Sequence, residues 1–307
     1  SSCAQVKKAA LAFRDVANAN PEFGIYKTLV GFNSVFPPAW DDKDFGYVEA
    51  KTYRTEQVDA LLASVDQASA DAWFDRISRC AQTESNDLAT FPVFGDFLSR
   101  LAETRPGIGL NYIDRIDGPL RRFLPGMLCG LMRSTERGKT LARIDDWLRV
   151  GKFIGDIAWH LQFADPFDEA LLRHTLDSAI QYNDAHAVRN ALVAAASQFV
   201  AHPGTLIEEV FLPALRFLDT AGDFSWIRMP WFTWHESPII RALDEEQSEV
   251  VLNALAPYPK LEYDAEAIAA AIAGRWPASV IAFLGERQAF ARTNAAPSHY
   301  DAVPFAV

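Results

Sequence analysis

Cysteine is scarce. Cys3, Cys80 and Cys129 are the whole set in 307 residues. An odd number at scattered positions makes neither a disulfide framework nor a paired thiolate motif, and it fits reduced thiols in the cytoplasm. Histidine is equally thin. His160, His174, His186, His202, His235 and His299 never fall three or four apart, which leaves a zinc site of the usual kind without support. No phosphate-cradling loop occurs: "RPGIGLN" at 105–111 has two glycines but lacks the preceding strand and the lysine, and reads as a turn between helices. No G-x-S-x-G is present, and Ser237 in "WHESP" has no strand-turn-helix setting. No apolar run approaches the roughly 20 residues that span a bilayer, and Lys7 and Lys8 interrupt what would be the core of a signal peptide. Positive charge is also short, with 29 Lys and Arg against 40 Asp and Glu, a formal charge of −11. Such a surface repels phosphates, so neither nucleic acid nor an anionic membrane is an expected partner. Nothing calls for a cofactor.

What is present is helix. Val6, Ala9, Phe13 and Val16 recur at helical spacing, as do Val58, Leu61, Leu62 and Val65. Leu120, Phe123, Leu124, Met127, Leu128 and Leu131 make a third stripe, and Leu172, Leu176, Ala179 and Ile180 a fourth. Val188, Leu192, Ala195 and Phe199 follow, then Ile207, Phe211, Leu215 and Leu218. Start signals punctuate them: Asp165-Pro166, a capping box from Thr205 to Glu208, another from Asp244 to Gln247, and single caps at Asp184 and Asp264. Gly274 and Pro277 mark a stop and a restart. The expected division is an N-terminal helix plus a long irregular, aromatic-rich loop over 1–54, then a continuous helical array over 55–307. Residues 23–54 carry Gly and Pro punctuation and no helical period, and long loops on helical scaffolds often carry function.

The segment "LPALRFLD" followed by "SWIR" resembles the HEAT repeat, with Pro213 in the first helix, Asp219 at the turn and Arg228 in the second helix. Arg228 lies a few residues farther from Asp219 than the pattern has it. "FLPGMLCGL" at 123–131 echoes "FLPALRFL" at 211–218, a separation of 88 residues, two units of HEAT length. The likeness is best over 85–220 and looser over 244–291. It implies an all-α, irregular HEAT-like α-solenoid of antiparallel helix pairs. The missing initial Met and the apolar end "YDAVPFAV" suggest a piece of a longer polypeptide, and 21 Arg against 8 Lys suggest a GC-rich bacterium.

Two stretches could carry function. Residues 226–236 crowd Trp226, Arg228, Trp231, Trp234, His235 and Glu236 around Pro230, either as core at a junction or as a binding surface with a polar rim. The loop near 31–47 offers Phe36, Trp40, Asp41, Asp42 and Asp44. These point to a non-catalytic scaffold or sensor module whose partner is another protein or another domain. The competing enzyme class comes from carboxylates. Asp41, Asp42 and Asp44 with Asn86, Asp87 and Thr90 faintly resemble the two metal motifs of class I terpene synthases, which implies Mg²⁺, a diphosphate and an aromatic-lined cavity. Phe94 stands where the second motif has Glu. A HEAT-like DNA-repair glycosylase would need a basic concave surface, against the charge.

Overall fold

The computed structural model describes residues 2–31, 47–87, 89–229, 237–261, 263–293 and 299–303. Among these the regular structure is all helical, with 16 α-helices, short 3-10 and π turns, and no strand. Two compact units divide the chain, Ser1–Leu141 and Ala142–Val307.

The first unit holds α1 (Ser2–Asn18), α2 (Pro21–Leu29), α3 (Tyr47–Ser64), α4 (Ala70–Ala81), α5 (Phe94–Thr104), α6 (Pro106–Arg115), a 3-10 turn (Gly118–Phe123) and α7 (Leu124–Arg133); α8 (Arg137–Arg149) crosses the boundary. Helix occupies 23–29 and 47–54, where the sequence reads as loop. Local chemistry explains the first. The Asn20 side chain accepts from the Glu22 and Phe23 amides, and Pro21 stands at the first helical position, so capping and a preset φ offset the cost of Gly24. The helix α1 forms where its stripe predicts, yet Val6, Phe13 and Val16 remain 68%, 76% and 74% exposed. Periodicity foretells the helix and not the partner.

The core of this unit is built on α5 and α7. Phe94, Phe97, Leu98, Leu101, Leu124, Leu128 and Leu131 are buried, and burying each such side chain contributes about 1.5–3 kcal/mol. The two backbones touch. A Cβ on Gly130 would stand 1.9 Å from the Ser99 carbonyl oxygen, and one on Gly126 3.2 Å from that of Gly95. One turn on, Arg133 donates to Glu103 (3.0 and 2.9 Å) and to Ser99 (3.2 Å). Since 95 meets 126, 99 meets 130 and 103 meets 133, α5 and α7 run parallel.

The second unit holds α9 (Ile154–Leu161), α10 (Glu169–Gln181), α11 (Ala185–Gln198), a π turn (Ile207–Phe211), α12 (Leu212–Thr220), a 3-10 turn (Ser225–Arg228), α13 (Pro238–Ala242), α14 (Glu245–Leu255), α15 (Tyr263–Ala273) and α16 (Pro277–Ala291). Asp184 caps α11, and Asp244 with Gln247 forms the full capping box of α14. Other start signals act differently. Asp168, not Asp165, caps α10. The Thr205 hydroxyl donates to Glu169 in place of closing a box with Glu208. Asp264 lies inside α15. Pro213 lacks the N–H that would bond the Glu209 carbonyl, and the chain answers just ahead of it with the π turn, in which the Leu212 amide bonds Ile207. The carboxylate that braces the following turn is Asp223, not Asp219: it accepts from the Ser225 amide at 2.8 Å and pairs with Arg189 at 3.7 Å.

One device recurs. The last carbonyls of a helix have no partner within it, and here a side chain some 30 to 40 residues later supplies one. Arg122 donates to Ala81 after α4, Tyr182 to Arg149 after α8, and Gln198 to Leu161, Gln162 and Ala164 after α9. Arg275 and Trp276 bond Leu243 after α13, and Arg287 bonds Leu255, Ala256 and Tyr258 after α14. Arg287 is only 1% exposed, and its Nε and Nη2 reach the Ala302 and Asp301 carbonyls. It fastens residues 299–303 to the end of α14, helped by the Tyr300 hydroxyl on Ala256 (2.8 Å) and by the Tyr300 ring 4.4 Å from the guanidinium.

Candidate functional site

The aromatic-rich stretch enters the core. Trp226 is fully buried and Ile227 1% exposed, on a 3-10 turn that packs against α15. For Trp226 the structure therefore favours core over surface. Arg228, two residues on, is exposed and reaches the Tyr258 hydroxyl at 3.5 Å, while the Phe224 ring lies tilted against that of Tyr258, their centroids 5.4 Å apart. Trp231, Trp234, His235 and Glu236 lie outside the described residues, as do Phe36, Trp40, Asp41, Asp42 and Asp44. Of the anticipated binding residues, Trp226 and Arg228 are the described ones, the first in the core and the second exposed.

The other half of the carboxylate pattern is visible. Asp87 is exposed, and its side chain accepts from the Ala89 amide at 2.9 Å, while Ser85 takes the Thr90 hydroxyl at 2.7 Å. Both side chains shape a turn. Among the described residues no group of three or more His, Cys, Asp or Glu could hold a metal ion. No helix among them is long and apolar enough to cross a membrane. Burial lifts the Cys80 thiol to about 11 and pushes Cys129 upward, which disfavours the nucleophilic thiolate at both. Beside the fastened segment 299–303 lies a cavity of about 280 Å³, lined by Ala256, Pro257, Glu286, Arg287, Phe290 and Tyr300.

A different surface emerges from α9 and α11. They run parallel: Asn190 donates to the Gly155 carbonyl (3.1 Å) near their starts, and Gln198 meets the Leu161, Gln162 and Ala164 carbonyls near their ends. From 153 to 164 every residue is buried except Asp156, Trp159 and Phe163, which follow one helical line. Asp156 is half-buried; Trp159 is 48% and Phe163 64% exposed, their rings edge to face at 6.0 Å. Beyond the end of α11, Val200 is 73% exposed and His202 lies against Phe167 at 5.1 Å. The sequence reading missed these positions. The available signal was the line 152, 156, 159, 163 in a segment otherwise apolar on every side.

The same edge carries carboxylates, because the chain leaves α9 and α11 here to begin α10 and the π turn. Glu169 accepts from the Thr205 amide (3.0 Å), Arg173 pairs with Glu209, and Gln247 bonds Glu208, which brings the start of α14 alongside. Residues 142–307 hold 12 Lys and Arg against 22 Asp and Glu, whereas 1–141 hold 17 against 18. Nearly all of the chain's net charge therefore belongs to the second unit. No family model, no curated protein and no solved structure matches this chain.

Proposed function

We propose that the chain is a non-catalytic interaction module: a HEAT-like array of antiparallel helix pairs, working in the cytoplasm, that presents surface to another protein or to another domain of its own polypeptide. The observation that carries this reading is the spacing of bonds between helices. In the second unit Asn190–Gly155, Thr205–Glu169, Gln247–Glu208 and Ser279–Glu245 join residues 35, 36, 39 and 34 apart. Helices two places apart meet with like ends together, as expected when each layer rests only on its neighbours. An array of that kind has no single enclosed centre and spends its side chains on layer contacts and on surface.

Chemical cross-linking of the whole chain with its bound partner, read by mass spectrometry, tests the proposal. The expected result is a partner held in fixed ratio, lost on Trp231→Ala or Trp234→Ala while the melting temperature holds. A rise in melting temperature on adding Mg²⁺ with inorganic pyrophosphate would sink it, since that ligand set belongs to the lyase reading.

A further inference from the structure

Resting on that interaction reading, we infer that the edge of the second unit formed by the ends of α9 and α11 and the starts of α10, the π turn and α14 is a docking surface for a basic peptide segment bearing an apolar anchor. Trp159, Phe163 and Val200 supply the anchor contact. Aromatic pairs with their rings in water are the side chains whose burial contributes most to an interface. Their exposure is not forced by crowding, because α9 buries all its other faces.

The occupant's charge follows from the rim. Exposed Asp165 sits two residues from Phe163, exposed Glu208 opens the π turn, and exposed Asp244, Glu245 and Glu246 open α14. Fewer cations than carboxylates lie on this edge: Arg173, which pairs with Glu209, and Arg241 and Arg275, the second of which bonds the Arg241 and Leu243 carbonyls. A surplus of carboxylates around an apolar centre repels nucleic acid and anionic lipid and attracts lysine- or arginine-rich protein. The proposal therefore commits to a cationic amphipathic segment.

A dansylated peptide of alternating Lys and Leu blocks is the probe, with a Glu/Leu peptide and a Lys/Ser peptide of equal length as controls. Binding is read by fluorescence anisotropy against the whole chain. The Lys/Leu peptide is expected to bind at least tenfold tighter than either control, with affinity falling as salt rises. The pair Trp159→Ala with Phe163→Ala should weaken it at least tenfold, and the pair Asp165→Lys with Glu208→Lys should weaken it and flatten the salt dependence. Tyr263→Ala, at an 89% exposed ring elsewhere in the unit, should change nothing. Ser197→Arg, at an exposed position near the end of α11, gives a second obstruction that removes no ring. Equal binding of the Lys/Leu and Glu/Leu peptides would overturn the proposal. So would indifference to both the ring and the Ser197 variants, or tighter binding of RNA or anionic vesicles than of the peptide. If cross-linking still finds a partner while the peptide ignores this edge, the surface is wrong and the interaction reading stands. If no partner is found and the peptide still binds here, the surface stands without it.

Discussion

Replacing Gly130 by Ala tests the closest approach in the first unit. The added methyl would lie 1.9 Å from the Ser99 carbonyl oxygen, 2.8 Å from its carbon and 3.0 Å from the Glu103 nitrogen. Ordinary contact between such atoms begins near 3.4 Å, so α5 and α7 must part by about 1.5 Å, and no flexible side chain is there to yield. A gap of 0.5–1 Å already forfeits a quarter to a half of a dispersion contact. The seam between the two helices holds Leu98, Leu101, Leu128 and Leu131, each at most 1% exposed. If each loses about a third of its roughly 2 kcal/mol, the seam loses about 3 kcal/mol. Overpacking of this kind is known to cost about 1–3 kcal/mol or more, and the better helix propensity of alanine returns about 1 kcal/mol. The net expectation is a loss of about 2–4 kcal/mol, or roughly 6–12 °C in a unit of this size. Gly285→Ala is the matched control. It stands exposed inside α16 with nothing within 4 Å of its would-be Cβ, and should stabilise by about 0.5–1 kcal/mol. Urea unfolding followed by circular dichroism at 222 nm reads both. Shifts of the same sign in the two variants, or an unchanged midpoint for Gly130→Ala, would refute the packing reasoning.

Three further outcomes follow from other parts of the molecule. Arg287→Leu strips the carbonyls of Leu255, Ala256 and Tyr258 of their donor and frees 299–303, so a loss of about 3 kcal/mol or more in urea is expected together with new proteolytic cleavage near Tyr300. Native protein at pH 8 should give one rapid thiol with a disulfide reagent, Cys3, while Cys80, buried and held near 11, reacts only on unfolding. The bond from Arg76 holds the exposed Glu22 carboxyl below its usual value, so the contact between α2 and α4 is intact above the unfolded value and lost as pH falls through the depressed one. Carbon-detected NMR titration should show Glu22 moving up toward 4.5 in Arg76→Ala.

Elements were legible where the chain carries its own local instruction. The stripe from Leu120 to Leu131 sits on buried helix, and the box of Asp244 and Gln247 closes as its spacing requires. Asp165 does not start α10, and Thr205, though helix begins just after it, closes no capping box, for a shared reason. A side-chain oxygen caps only if nothing nearer competes, and Asp168 lies closer to the start of α10 while Glu169 draws the Thr205 hydroxyl across to another helix. Contacts of that second sort have no local trace. The sequence "FLPGMLCGL" displays Pro125 and its leucines to any periodic analysis. Its two glycines, four apart, matter only because the backbone of α5 lies against them.

The exposed line on α9 was hidden by a different cause. A surface helix announces its solvent face through polar residues, so an amphipathic pattern marks both sides at once. Between 153 and 164 the chain is buried on nearly every face, and its water-facing positions hold Trp159 and Phe163 where Lys or Glu would cost nothing. Apolar-in, polar-out patterning thus merges the line with the core, and only the burial of the intervening residues separates the two. Interaction surfaces built from aromatic rings are for this reason the least visible part of such a helix. Putting Lys at Trp159 and Glu at Phe163 should leave the free energy of unfolding within about 0.5 kcal/mol of its starting value, as at other solvent-facing sites; a large loss would mean that the two rings are held by the fold and are not surface at all.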